Sequence, residues 1–390
     1  MLDLRAHFSR FREADPDRLH LAAHSHHYWP DVAGEAQIAA FDDAARLADG
    51  KWGHVLGPLW QACQAHVARV LSLPDTGSVV FAQNTFELWL RLLSCLPTDR
   101  PLRILATDGE FHSFNRLSRR LAEDGLVALE TVPVEPFATF AERFADAARE
   151  GGHDLVLFSQ VLFGSGFVVD PLEEVVAAVR DAETFVVIDG YHGFMARPTD
   201  LSRLAGRVFY MSGGYKYVMA GEGAAFMHCP PGYGERPRAT GWYAAFGALT
   251  QRQAGTVPYA RDGFRFMGAT FDPTALYRFD AVMAWLDGLG IDAGRVHAHA
   301  IACQEAFCEG LAEADAPIGE RDLVLPLSET RRGNFLGFRR ADAAALQERL
   351  AAARIVTDSR GDVLRIGFGL YHVADEAREA AHRVARALAA

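Results

Sequence analysis

Lysine is nearly absent from this chain: among 39 basic side chains in 390 residues only Lys51 and Lys216 are lysines. An arginine-biased composition accounts for the excess of guanidinium groups. It also singles out each retained lysine, because only an amine deprotonates readily and condenses with a carbonyl. Cysteine is scarce too. Cys63, Cys95, Cys229, Cys303 and Cys308 are odd in number and form no CxxC pair, so they suggest neither a disulfide framework nor a thiolate zinc site. They read as small buried apolar groups. Positive charge is in deficit: 50 acidic residues give a net charge of −11, and no basic stripe with interleaved aromatics is present to hold a nucleic-acid backbone. No apolar run approaches the roughly 20 residues that span a bilayer. The start of the chain, MLDLRAHFSRFREADPD, is charged and amphipathic and unlike a signal peptide, so a cytoplasmic location without a membrane partner is expected.

What is present is the composition of a globular protein, half hydrophobic and 23% charged, without internal repeats or low-complexity segments. Short apolar runs at 78–82, 103–107, 154–159, 184–189, 207–211 and 224–228 read as strands. Amphipathic stretches at 86–95, 115–123, 138–150 and 172–180 lie between them. Continuous V/I/L/F runs separated by helices indicate strands covered on both faces, hence a mainly parallel α/β sheet. In such a sheet the ligand sits at the carboxyl ends of the strands. Beyond about residue 275 the pattern changes to helices at 274–289 and 293–313, strands at 334–339 and 363–368, and helices at 341–352 and from 374. This reads as a smaller α+β domain. The expected division is an N-terminal segment 1–50, a large domain 51–275 and a small domain 276–390.

Lys216 lies in YMSGGYKYVMAGEG, just past an apolar strand and between glycine-containing turns, among Tyr and Met neighbours that make a poor solvated face. Lys51, in ADGKWGH, reads as a surface residue. Asp189 ends the run TFVVIDGYHGF, with His192 three residues on. A strand-end carboxylate also serves as a helix N-cap. Paired with a strand-end lysine one βα unit later, it is the arrangement that pyridoxal 5′-phosphate (PLP) needs. The amine forms a Schiff base and the carboxylate keeps the pyridine nitrogen protonated.

With these motifs, from HLAAHSHHYWP to VLRIGFGLYH, the chain resembles fold-type I PLP-dependent enzymes of the class V aminotransferase superfamily, and within it the kynureninase branch. The resemblance implies a mainly parallel seven-stranded sheet covered by helices, a smaller C-terminal domain, and a homodimer with shared active sites. It implies that Lys216 is the Schiff-base lysine, that Asp189 pairs with the pyridine nitrogen, that His192 lies near the phenolic oxygen and that Tyr215 bonds the phosphate. In VVFAQNTFELWLRLL the amides around Asn84, Thr85 and Phe86 would cradle the phosphate at a helix N-terminus. Phe111 in DGEFHSF takes the place of the residue stacked on the ring. Trp242 in GWY would reach the phosphate, and Thr270 in FMGATFDP would complete the phosphate site of the neighbouring subunit, where kynureninases carry Asn. Arg365 lies inside an apolar strand, where a guanidinium needs a carboxylate; the resemblance assigns it to the substrate α-carboxylate, with Asp358, Arg360 and Tyr371 also matching. His24 and Ser25 fall at the substrate-side Asn-Ser. Adjacent His26 and His27 point to opposite faces of an extended chain, so no metal site is assigned.

The reaction implied is hydrolysis of the Cβ–Cγ bond of a γ-keto amino acid. Phe114, where the branch has Asp, and QVLFGSG, where it has His-Val-Asn-Tyr, put apolar Leu162 and Phe163 in place of polar groups and leave the substrate open. A class V aminotransferase or another PLP-dependent lyase is the alternative, and a non-catalytic PLP-binding protein a further one. The loop SETRRGN offers no cysteine to accept sulfur, which disfavours a desulfurase.

Overall fold

The computed structural model describes residues 2–248 and 255–389. Among the described residues twelve strands fall in three sheets. They are β1 (Leu19–His20), β2 (Val79–Ala82), β3 (Leu102–Thr107), β4 (Val127–Val132), β5 (Leu155–Ser159), β6 (Phe185–Asp189), β7 (Val208–Gly213), β8 (Ala225–His228), β9 (Phe335–Arg339), β10 (Ile355–Val356), β11 (Asp358–Arg360) and β12 (Val363–Gly367).

The central sheet has seven strands in the order β2-β8-β7-β6-β5-β3-β4. Pairings from β7 through β6, β5 and β3 to β4 are parallel, whereas β8 runs antiparallel to both β7 and β2. Strands β2, β5, β7 and β8 are buried at every position. Six of the seven match expected apolar runs. The seventh, β4, was not anticipated: its sequence VALETV exposes Ala128, Glu130 and Thr131 at the sheet edge, where one flank stays wet and the apolar run is broken.

The second half adds the helices Thr274–Gly288 and Ala293–Glu313, and the antiparallel sheet β11-β12-β9. The first of these helices packs Leu276, Phe279, Val282 and Met283 into the core of the large sheet, whereas Phe307, Phe338, Leu346 and Val384 belong to a separate hydrophobic cluster, which Leu21 joins from the N-terminal segment. The short β1 pairs in parallel with β10, which ties the start of the chain to this half.

Among the described residues no helix is long and apolar enough to cross a membrane. All five cysteines are free; four are buried and Cys95 is partly so.

Candidate active site

The carboxyl ends of β5, β6 and β7 bring the site together. Asp189 closes β6 behind four buried residues, and its Oδ1 accepts the Tyr191 N–H at 2.9 Å, an Asx-type turn that fixes the carboxylate. Glycine is required next: a Cβ at Gly190 would stand 2.0 Å from the Tyr210 hydroxyl oxygen. Burial pushes the Asp189 carboxyl above its ordinary range, opposed by the Tyr191 N–H and by the charge of Lys216.

Lys216 follows β7 on a turn and is 5% exposed. Its Nζ lies 2.6 Å from Nε2 of His192 and within 5.1 to 5.7 Å of the ring centres of Tyr191, Phe111 and Tyr215. Burial lowers the pKa of the amine below the lysine range, against the pull of Asp189. Burial, with Lys216 beside it, also holds His192 neutral. Nε2 then accepts from Nζ–H, and Nδ1 carries the imidazole proton. Among the described residues that buried Nδ1 has no hydrogen-bond partner. Lys51 instead sits partly exposed over the Trp52 ring at 5.8 Å.

These groups face a cavity of about 320 Å³, lined on one side by Asn84, Thr85 and Phe86 and elsewhere by Phe111, Ser113, Ser159, Val161, Phe163 and Tyr215. Asn84 caps the nine-residue helix Thr85–Leu93, its side chain accepting the Glu87 N–H at 3.0 Å. The first-turn amides that remain are the usual receptor for a phosphate. Burial pushes the Tyr215 hydroxyl up to about 12, so it stays a protonated donor at the same wall. An amine held below its usual pKa, a strand-end carboxylate, a helix N-terminus and the unpartnered His192 Nδ1 together fit PLP: aldehyde, ring nitrogen, phosphate and phenolic oxygen each have a matching group.

Other residues assigned from the sequence lie outside this cavity wall. Arg365, 2% exposed on β12, is already engaged: Nε and Nη2 donate to Asp358 Oδ1 and Oδ2 at 2.7 and 2.5 Å. Its Nη1 donates to the Phe163 carbonyl oxygen. Asp358 also meets His24 Nε2 at 3.2 Å, and His24 stacks on Phe335 at 4.6 Å. Ser25 is partly exposed, with Oγ 3.3 Å from His26 Nδ1. Trp242 stacks on Tyr243 at 4.0 Å and is 46% exposed, and Thr270 is exposed.

Ser159 and Tyr191 are among the lining residues not singled out from the sequence, and neither was Glu110, which bonds to Ser159 from behind. Glu110 adjoins Phe111 in DGEFHSF, a position that itself marks it as near the site. Among the described residues no group of three or more His, Cys, Asp or Glu side chains could hold a metal ion.

Comparison with known proteins agrees with this fold. A family model described as aminotransferase class-V matches residues 51–358. A kynureninase of Deinococcus radiodurans is 26% identical over 347 residues, covering 83% of this chain and 80% of that protein. The solved complex of the cystine C-S lyase C-DES with its product cysteine persulfide superposes with a TM-score of 0.78 at 20% identity, covering 95% of this chain and 97% of that one. A lysine-to-alanine variant of C-DES, with glycine covalently linked to its PLP cofactor, has a TM-score of 0.76 at 19% identity and covers 98% of both chains.

Proposed function

The chain belongs to the aminotransferase class-V family, its cofactor is pyridoxal 5′-phosphate, and from that premise we propose that it is a kynureninase-like hydrolase cleaving the Cβ–Cγ bond of a γ-keto amino acid. The observation that carries this reading is an apolar wall beside a buried amine. Phe163 meets the Phe111 ring edge-on at 5.4 Å, and Lys216 Nζ stands 5.7 Å from that same Phe111 ring. An aromatic acyl side chain buries its ring on such a wall, at roughly 25 cal/mol per Å² removed from water. The likeness to a kynureninase over most of the chain supports the same reaction.

Bound in this cavity, PLP supplies an electrophilic carbonyl for the substrate amine and an electron sink for the bonds at Cα. Lys216 acts as the base that takes the Cα proton, and burial makes its neutral form available near pH 7. His192 accepts from Nζ and so orients the amine. Phe111 would lie against the cofactor ring, and Val161 and Phe163 hold the acyl group. Arg365 stands behind Phe163, and with Arg360 it leaves one net positive charge over Asp358 that attracts the substrate α-carboxylate. In the hydrolysis the hydroxyl of water joins the acyl carbon, and the Cβ–Cγ electron pair goes to Cβ, which takes a proton. Alanine and a carboxylic acid leave.

A homodimer belongs to the same proposal. Phe86, Leu90, Trp242 and Phe246 are each more than 40% exposed, and a second copy covering them would also give Trp242 and Thr270 a phosphate to bind.

The test is incubation of the holoenzyme with an amino-acid panel that includes kynurenine and 3-hydroxykynurenine. Release of alanine with an equimolar aromatic acid supports hydrolysis. Formation of a keto acid without alanine identifies an aminotransferase, and no turnover of any substrate returns a non-catalytic PLP-binding protein.

A further inference from the structure

Behind the cavity lies a second carboxylate that the proposed mechanism does not use. Glu110 is 2% exposed and, among the described residues, no basic side chain pairs with it. Every hydrogen bond it makes is one it accepts. Thr107 Oγ1 donates to Oε1 at 2.6 Å, the Ser159 N–H donates to Oε1 at 3.1 Å, and Ser159 Oγ donates to Oε2 at 2.6 Å. An acceptor-only environment of this kind suits the ionised carboxylate. Burial opposes ionisation and pushes the carboxyl up to about 7, with the nearby charge of Asp189 adding to the rise.

Ser159 connects this group to the site. It ends β5 in direct register with Asp189, which ends β6, and both line the cavity. Register partners on adjacent strands project to the same face of a sheet. Among the described residues the Ser159 hydroxyl donates to Glu110, and the Asp189 carboxylate accepts from the Tyr191 N–H.

We propose that Glu110 is a positioning residue for the cofactor's ring nitrogen: it holds the Ser159 hydroxyl away from Asp189 and adds a second negative charge behind it. Asp189 is thereby left free to accept from the ring N–H, and the doubled negative charge keeps that nitrogen protonated to higher pH. The inference rests on Asp189 facing the ring nitrogen, and not on the identity of the substrate.

The experiment is a ¹⁵N NMR pH titration, from pH 6 to 10, of holoenzyme carrying PLP labelled at the pyridine nitrogen. Wild type is compared with Asp189→Asn, Glu110→Gln, Glu110→Asp and Ser159→Ala, after circular dichroism and cofactor content have been matched. Asp189→Asn should lower the midpoint for loss of the ring proton most. Glu110→Gln should lower it by about one pH unit, the size expected for removing one nearby charge. Glu110→Asp should restore part of the shift, and Ser159→Ala, which takes from Glu110 a donor that favours its ionised form, should shift the midpoint in the same direction by less. A Glu110→Gln titration that coincides with wild type while Asp189→Asn is displaced overturns the proposal and leaves the Asp189 assignment standing. An Asp189→Asn titration that coincides with wild type overturns both. If Glu110→Gln does not retain cofactor, Ser159→Ala decides, and its coincidence with wild type counts against Glu110.

Discussion

The Lys216 amine nitrogen lies 2.6 Å from Nε2 of His192, and burial disfavours the charged form of both groups. Neither behaves as a surface cation. The imidazole accepts, the amine donates, and the amine keeps a lone pair for proton transfer. Lys216→Ala is therefore expected to lower kcat by roughly 10²–10⁴-fold, the usual contribution of a general base. Added methylamine should restore part of it in steady-state assays. Full activity in the alanine variant contradicts the role.

Phe163 is expected to set the choice of side chain. Phe163→Ala opens the wall beside Phe111 and should lower kcat/KM for an aromatic γ-keto amino acid by roughly 10–200-fold, the worth of a lost apolar contact in a binding pocket. A small aliphatic substrate should change much less. Equal losses for both would place the aromatic group elsewhere.

Asp358 and Arg365 are register partners on β11 and β12, joined at 2.5 and 2.7 Å, with the Arg365 side chain almost wholly buried and that of Asp358 mostly so. Asp358→Ala leaves a buried guanidinium without its carboxylate, and the folded state should lose about 3–5 kcal/mol in urea unfolding. The double replacement Asp358→Ala with Arg365→Met should lose less than Asp358→Ala alone. A single variant as stable as wild type contradicts the pairing.

The legibility of the site from the sequence followed this same distinction between local and paired information. Lys216 and Asp189 stood out because a strand-end position can be read from one apolar run at a time. Arg365 was legible as a guanidinium in need of a carboxylate, but its partner depends on the β11–β12 register, which brings Asp358 opposite. Glu110 was missed for a related reason: its donors, Thr107 and Ser159, end two adjacent parallel strands 52 positions apart in the numbering. Strand β4 was missed because an edge strand does not need a continuous apolar run. Trp242 and Thr270 lie off the cavity wall of their own chain, and their assigned role waits on a second subunit.

Acid should destabilise the fold. Burial lowers His24, His27 and His228 to about 4, His372 to about 3 and His20 to about 2. His27 Nε2 accepts the Leu370 N–H and His372 Nδ1 the Gly369 N–H, contacts that a proton would break. Unfolded histidine titrates near 6.5, so this stability is fully present above pH 6.5 and is lost as pH falls towards the folded values. Glu110 and Asp189, raised by burial, act in the opposite sense by taking up protons first in the folded chain. These histidines, with His192 acting in the same sense, outweigh the two carboxylates, and the urea midpoint at pH 5.5 should fall below that at pH 7. A midpoint that rises contradicts this balance.

With only two lysines in the chain, a single measurement locates the Schiff-base residue. Borohydride reduction of the holoenzyme converts the carbonyl–amine linkage to a stable secondary amine, and peptide mass spectrometry then locates the phosphopyridoxyl group. That group is expected on Lys216, in the peptide containing SGGYKYVMAGEG, with Lys51 unmodified. A group found on Lys51, or a reduced holoenzyme in which neither lysine is modified, would contradict it.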